Sequence, residues 1–285
     1  MDMGNIKLLF TGLAMLFLPA MVRAQDTLKL KNVEAILFTE GNGKRPLVVA
    51  FGGSEGGNAW ATDRWKQVRG EFLAKGYAFL AVGYFGCKGT PKLLDRIAID
   101  DVYAAIAAAK RHSQIDSNRV AVIGGSRGAD LALLLASYYP DIDAVVGMSA
   151  SHAVFPGHTQ HFTSSCWTFG GRELPFIPVN DQAVPYLMKG DLRGTFLAMM
   201  QDSVVEQRAL IKVERINGPI LLLSGDKDEV IPAAQMGEKM MARLKAYRYA
   251  YPNRHIVYQG THAEPTRHFD VVLEFLETHF LKHRP

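Results

Sequence analysis

The chain has 285 residues, 48% of them hydrophobic, and a formal net charge of +4. That is room for one sizeable core and not for two. The small net charge and the lack of a dense Lys/Arg stripe argue against a nucleic-acid partner.

The chain opens with Lys7 ahead of an apolar run, Leu8 to Val22, which ends at Val22-Arg23-Ala24 before the polar Gln25-Asp26. This is the layout of a secretory signal peptide with small residues at its cleavage positions. The run is short for a membrane span, which needs about 20 apolar residues; an uncleaved anchor is the competing reading. The expectation is a signal peptide over residues 1–24 and a mature single domain over 25–285. That domain is exported, to the periplasm in a Gram-negative source. No Cys follows the cleavage site, which argues against lipid attachment there.

Thr27–Phe38 alternates apolar with polar residues and predicts one or two edge strands. Pro46–Phe51 is a continuous apolar run of the central-strand kind, and it opens directly into Gly52-Gly53-Ser54-Glu55-Gly56-Gly57. A glycine-rich turn lets backbone N–H groups approach a ligand closely. The Lys-Ser/Thr ending of a phosphate-binding loop is absent, so nucleotide binding is not expected. Trp65–Ala74 predicts a helix, Ala78–Tyr84 a strand, and Ile97–Lys110 a helix. Asp100 and Asp101 suit the positive end of that last helix.

Val120–Ile123 then reads as a buried strand and Gly128–Ala136 as a helix, with Gly124-Gly125-Ser126-Arg127-Gly128 between them. This fits G-x-S-x-G. A strand reversing into a helix within so few residues strains its central residue and lifts that side chain above the sheet. Ser126 is therefore the candidate nucleophile, poised at a helix N-terminus where N–H groups stabilise an oxyanion. The Arg127 N–H and an N–H from Gly53 or Ser54 are the candidate oxyanion donors. The Arg127 side chain has two readings, selection of anionic substrates or a structural salt bridge.

Ala144–Met148 predicts the next strand, and strand–helix alternation of this kind implies a mostly parallel sheet with helices on both faces. Residues 149–217 break the rhythm. They are rich in turn residues, aromatics and His, and they follow the carboxyl end of a strand, where ligands bind in open sheets. They are read as a cap over the nucleophile. His158 and His161 lie there at the spacing of half a metal site, but without matching ligands, so no metal and no cofactor is expected. Cys87 and Cys166 leave both a disulfide and two separate thiols open, with Cys87 as a nucleophile a remote third reading. Pro219–Ser224 is the next strand, followed by Asp226 and Asp228, then a helix. His255–Tyr258 is the last strand, followed by His262 and a closing helix over Phe269–Phe280.

A serine hydroxyl needs an adjacent base, and an imidazole base needs a carboxylate to hold its tautomer. Asp228 and His262 come in the order Ser, acid, His, each just past a strand. Asp226 is the rival acid.

From about Pro46 onward the chain resembles the catalytic domain shared by acyl-CoA thioester hydrolases and bile acid-CoA:amino acid N-acyltransferases. The resemblance is carried by Gly76-Tyr77, Tyr84-Phe85-Gly86, GTPKLL at Gly89–Leu94, the Gly124–Asp130 elbow, IKVERINGPILLLSG at Ile211–Gly225, and Tyr258 with His262. It implies an α/β-hydrolase fold with a cap insertion after the sixth strand, and Ser126, Asp228 and His262 as the triad. The amino-acid-transferring members use Cys where this chain has Ser126, which points to hydrolysis. Thr261 replaces the family's Gly before the histidine, and Ile231 and Ala233 replace its Trp and Ser around the proline. The expected activity is cleavage of a small-molecule acyl ester or thioester through an acyl-enzyme. The alternatives are an amidase or peptidase with the same triad, or a non-catalytic binding protein of this fold.

Overall fold

A computed structural model describes residues 23–281. Apart from Arg23 and Ala24, the expected signal segment lies outside those residues. Strands β1 (Arg23–Leu28) and β2 (Glu34–Glu40) pair antiparallel, from Arg23 opposite Glu40 to Leu28 opposite Ala35. A cut between Ala24 and Gln25 would take only the first two residues of this edge strand.

The parallel part follows. In chain order it runs β3 (Arg45–Phe51), α1 (Lys66–Ala74), β4 (Ala78–Gly83), β5 (Ile97–Ala98), α2 (Ile99–Lys110), β6 (Ile115–Gly125), α3 (Arg127–Tyr138) and β7 (Ala144–Met148). Next come β8 (Trp167–Phe169), β9 (Arg172–Glu173) and three short helices, α4 (Val184–Met188), α5 (Leu192–Met199) and α6 (Ser203–Ala209). The chain closes with β10 (Ile220–Gly225), α7 (Ala233–Ala246), β11 (Asn253–Tyr258) and α8 (Phe269–Phe275), which runs on into a π turn.

Eight of the strands form one sheet in the order β1-β2-β4-β3-β6-β7-β10-β11, parallel from β4 to β11. The inner strands are apolar without alternation because both faces are covered. Val49, Leu80 and Val122 face the side packed by α2 and α3, while Val48, Phe79 and Ile123 face Phe72 of α1 and Phe269 of α8. The chain runs outward from β3 to β4, then crosses back to β6 and continues the other way. The carboxyl ends of β3 and β6 therefore flank the point where the winding reverses, which is where open α/β sheets bind ligands.

The helix predicted from Ile97 starts two residues later. Ile97 and Ala98 pair in parallel with Trp167 and Thr168 in a three-stranded side sheet, and the Ile97 N–H donates to the Cys166 carbonyl at 2.9 Å. Asp100 and Asp101 do more than face a helix dipole. Asp100 accepts from the Gly170 N–H and Asp101 from Asn32, both at 2.9 Å, so the helix start is tied to two distant loops. Both cysteines are free thiols. Burial pushes Cys166 up to about 12 and Cys87 up to about 11, so neither is a ready nucleophile.

Between β7 and β10 the chain builds its own small apolar cluster, with Phe155, Ile177 and Met199 packed against Ile231 and Met236. Two of its short helices, α5 and α6, begin at side-chain caps. Asp191 accepts from the Gly194 N–H, and Asp202 from the N–H groups of Val204 and Val205.

Candidate active site

Ser126 sits between β6 and α3 with φ 53° and ψ −124°, a conformation that costs a non-glycine residue of order 1–3 kcal/mol. Its surroundings hold it there. Its N–H donates to the Met148 carbonyl of β7 at 2.8 Å, and its carbonyl accepts from Ala129 at 2.9 Å. The two glycines that frame it are dictated by crowding. A Cβ on Gly124 would lie 2.1 Å from the Gly128 carbonyl oxygen, and one on Gly128 would lie 2.3 Å from that of Gly52. The helix therefore leaves the strand at a distance only bare backbone permits.

The loop after β3 presses on the same point. A Cβ on Gly53 would meet that of Ser126 at 3.2 Å. The Tyr84 hydroxyl donates to the Gly52 carbonyl at 2.7 Å, so the Gly53 N–H of that planar trans peptide is turned away from Tyr84. Among the described residues, the N–H groups of Gly53 and Ser54 have no backbone acceptor. The Arg127 N–H opens a helix and has no partner within it.

Asp228 and His262 come from the loops after β10 and β11. His262 Nδ1 lies 2.8 Å from Asp228 Oδ2. A carboxylate accepts, so this contact selects the tautomer of the neutral imidazole that carries its proton on Nδ1 and leaves the Nε2 lone pair free. The acid is fully enclosed, and its other oxygen accepts from the N–H groups of Val230 at 2.9 Å and Ile231 at 3.0 Å. Asp226 is turned elsewhere, accepting from the Gly260 N–H at 2.9 Å. That bond staples the acid loop to the histidine loop. The staple is tight: a Cβ on Gly225 would lie 2.3 Å from the Thr261 carbonyl oxygen. Glu229 accepts from the His262 N–H at 3.0 Å, and Ser149 donates to the His262 carbonyl at 2.8 Å.

Ser126 lines two cavities. One, of about 430 Å³, has walls of Phe162, Val179, Leu187, Leu192, Phe196, Met199 and Ile231, with Ser54, Arg127 and His158 among its polar contributors. The other, of about 560 Å³, runs past Gly53, Trp60, Arg64 and Trp65 and is lined on the far end of the chain by His262 and Thr266. The serine and the histidine thus share the second cavity, while the 149–217 segment supplies most of the first.

Four contributors were not foreseen. Arg193 of α5 donates to the Asp228 carbonyl at 2.9 Å, tying the short-helix segment to the acid loop. Asp130, buried, accepts from the Ser151 N–H at 2.7 Å and from Arg127 at 3.2 Å, and burial pushes its carboxyl up to about 6. Ser149 and Glu229 clamp the histidine loop from either side. An acidic residue three positions after Arg127 on a helix was the one visible signal, since that spacing puts the two on one face. His158 lines the first cavity, and His161 is not among its walls. Among the described residues no group of three or more His, Cys, Asp or Glu gathers as a metal site.

The comparisons with known proteins agree with this architecture. The family described as BAAT / Acyl-CoA thioester hydrolase C terminal matches residues 103–263, a span that contains Ser126, Asp228 and His262. The rat acyl-coenzyme A amino acid N-acyltransferase 2 is 24% identical over 215 residues, 75% of this chain and 47% of that protein. The human mitochondrial acyl-coenzyme A thioesterase 2 is 26% identical over 235 residues, 81% of this chain and 45% of that protein. The chain therefore spans about half the length of these relatives. Among solved structures, a Pyrococcus furiosus esterase superposes with a TM-score of 0.59 at 18% identity, covering 91% of this chain and 94% of its own. That likeness is one of fold: the architecture is that of the α/β hydrolases.

Proposed function

Because the chain belongs to the BAAT / acyl-CoA thioester hydrolase C-terminal family, we propose that it is a serine hydrolase cleaving acyl esters or thioesters through an acyl-enzyme. The observation that carries this is the 2.8 Å contact between His262 and the enclosed Asp228, in a cleft shared with a strained, elbow-borne Ser126. Ser126 Oγ attacks the acyl carbon while His262 Nε2 takes its proton. Asp228 holds the imidazole tautomer and stabilises the imidazolium that forms. The Arg127 N–H, with that of Gly53 or Ser54, holds the oxyanion. His262 then passes the proton to the departing oxygen or sulfur, and water frees the acyl group by the same route in reverse.

The two cavities divide this work. The group that protonates the leaving atom must face it, so the cavity lined by His262 takes the leaving group. The apolar cavity that Ser126 also lines takes the acyl group. Residues 149–217 act as the cap that shapes it. Ser126 in place of the cysteine of the amino-acid-transferring members supports release to water. The amino-terminal apolar run supports export and periplasmic action. There coenzyme A esters are scarce, and an oxygen ester is the better substrate class. The test is a matched set of ester, thioester and anilide substrates on the processed protein. The ester and thioester should turn over, with Ser126→Ala inactive on both; anilide cleavage at a comparable rate would instead favour the peptidase reading. Amino-terminal sequencing of exported protein should begin near Gln25, and a start at Met1 would overturn the export claim.

A further inference from the structure

The walls of the acyl cavity are mainly apolar, with neutral polar side chains such as Ser54, Thr159 and Thr195 among them. Among the residues that line it, Arg127 carries the only permanent charge. Its side chain is 8% exposed, and it lies over Phe155 at 5.7 Å and Phe196 at 5.6 Å. Its guanidinium is held in place from behind. Nη1 donates to Asp130 Oδ2 at 3.2 Å, and Asp130 is itself 1% exposed, with its other oxygen taken by the Ser151 N–H. The carboxylate is therefore hidden while the cation borders the cavity. Among the described residues, the guanidinium donates through Nη1 to Asp130, while Nε and Nη2, which are not fully enclosed, have no protein acceptor. A guanidinium offers five donors in a planar fork, so the donors not used on Asp130 are open to a ligand in the cavity. A carboxylate accepts two such donors side by side.

We propose that the acyl group this cavity takes is an apolar chain ending in, or bearing, a carboxylate, which the Arg127 guanidinium binds, so that Arg127 sets a preference for half-esters of dicarboxylic acids. The inference rests on the hydrolase reading for its assignment of this cavity to the acyl group. The side chain acts in selection only; the backbone N–H of the same residue has the separate oxyanion role. A charge-assisted pair of hydrogen bonds in a site shielded from water corresponds to a preference of about tenfold or more.

Binding to the Ser126→Ala protein tests this without requiring turnover. Monomethyl esters of the dicarboxylic acids from succinate to suberate would be titrated by calorimetry. The methyl esters of monocarboxylic acids of matching chain length serve as neutral partners. At least one anionic ester should bind about tenfold tighter than its neutral partner. The preference should fall to within about twofold when Arg127→Gln and Asp130→Asn are added together, a pair that leaves no buried carboxylate unpartnered. Equal or weaker binding of the whole anionic series, or no measurable binding of it, overturns the inference. So does a preference that survives in the triple variant. Should that variant not fold, the Ser126→Ala titrations decide alone. Wild-type protein that hydrolyses neutral esters without any anionic preference loses this inference and keeps the hydrolase reading. An anionic preference in protein that cleaves neither ester class keeps Arg127 as a carboxylate-binding group and loses both the hydrolase reading and the acyl assignment.

Discussion

The sheet and the segment above it are built on different terms. At the turns after β3, β6 and β10 backbone packs directly on backbone: Gly124 on Gly128, Gly128 on Gly52, Gly225 on Thr261. Between β7 and β10 the chain holds itself with side chains. Examples are Asp caps on short helices, Arg193 on the Asp228 carbonyl, and Glu206 bridging His152 and Lys239. Backbone packing has little room to vary, whereas side-chain ties can be exchanged one at a time. The first region suits a reaction that fails when an atom moves by an ångström. The second suits a pocket whose shape sets substrate choice.

Substitutions should separate the two regions. The largest effect belongs to Ser126→Ala, expected to lower kcat by about 10⁵-fold or more. Asp228→Asn should lower kcat by about 10⁴-fold with KM little changed, because the imidazole loses its tautomer partner. Asp226→Asn should cost far less, and steady-state kinetics on one ester checks both carboxylates. In the segment, Phe196→Ala should lower kcat/KM about tenfold for long acyl chains and leave acetyl esters nearly untouched. A uniform loss across chain lengths would blur the division between the regions.

The smallest effect is on stability. The His152 hydrogen bond and the Lys239 ion pair hold the Glu206 carboxyl down at about 2, against an ordinary 4.5. A depressed acid stabilises the fold above its unfolded value and loses that contribution as pH falls through the folded one. Glu206→Gln should therefore unfold about 2–4 °C below wild type at neutral pH, with the gap closing as pH drops from 4.5 toward 2. Thermal unfolding across that range checks it, and a gap independent of pH would contradict the ion-pair account.

The same contrast explains what could be read in advance. Pro46–Phe51, Ala144–Met148 and Pro219–Ser224 are unbroken apolar runs, and each is a strand within a residue or so of its expected limits. Ser126 was legible because its constraint is local, a strand and a helix four residues apart. Asp228 and His262 were legible only as loop residues after strands. That their loops are stapled by Asp226 and clamped by Ser149 depends on contacts more than 30 and 100 positions apart in the chain. Ile97 and Ala98 carry no local sign of their partner Trp167, so helix-favouring neighbours mislead there. The short helices over 184–209 are set by tertiary packing, with side-chain caps on α5 and α6, and no periodicity of useful length announces them.

The central claim is that Ser126 is an activated nucleophile, and a fluorophosphonate probe tests it most directly. Peptide mass mapping of the labelled protein should place the adduct on Ser126, with labelling slowed severely in His262→Ala and absent in Ser126→Ala. An adduct on any other residue, or undiminished labelling without His262, would contradict it.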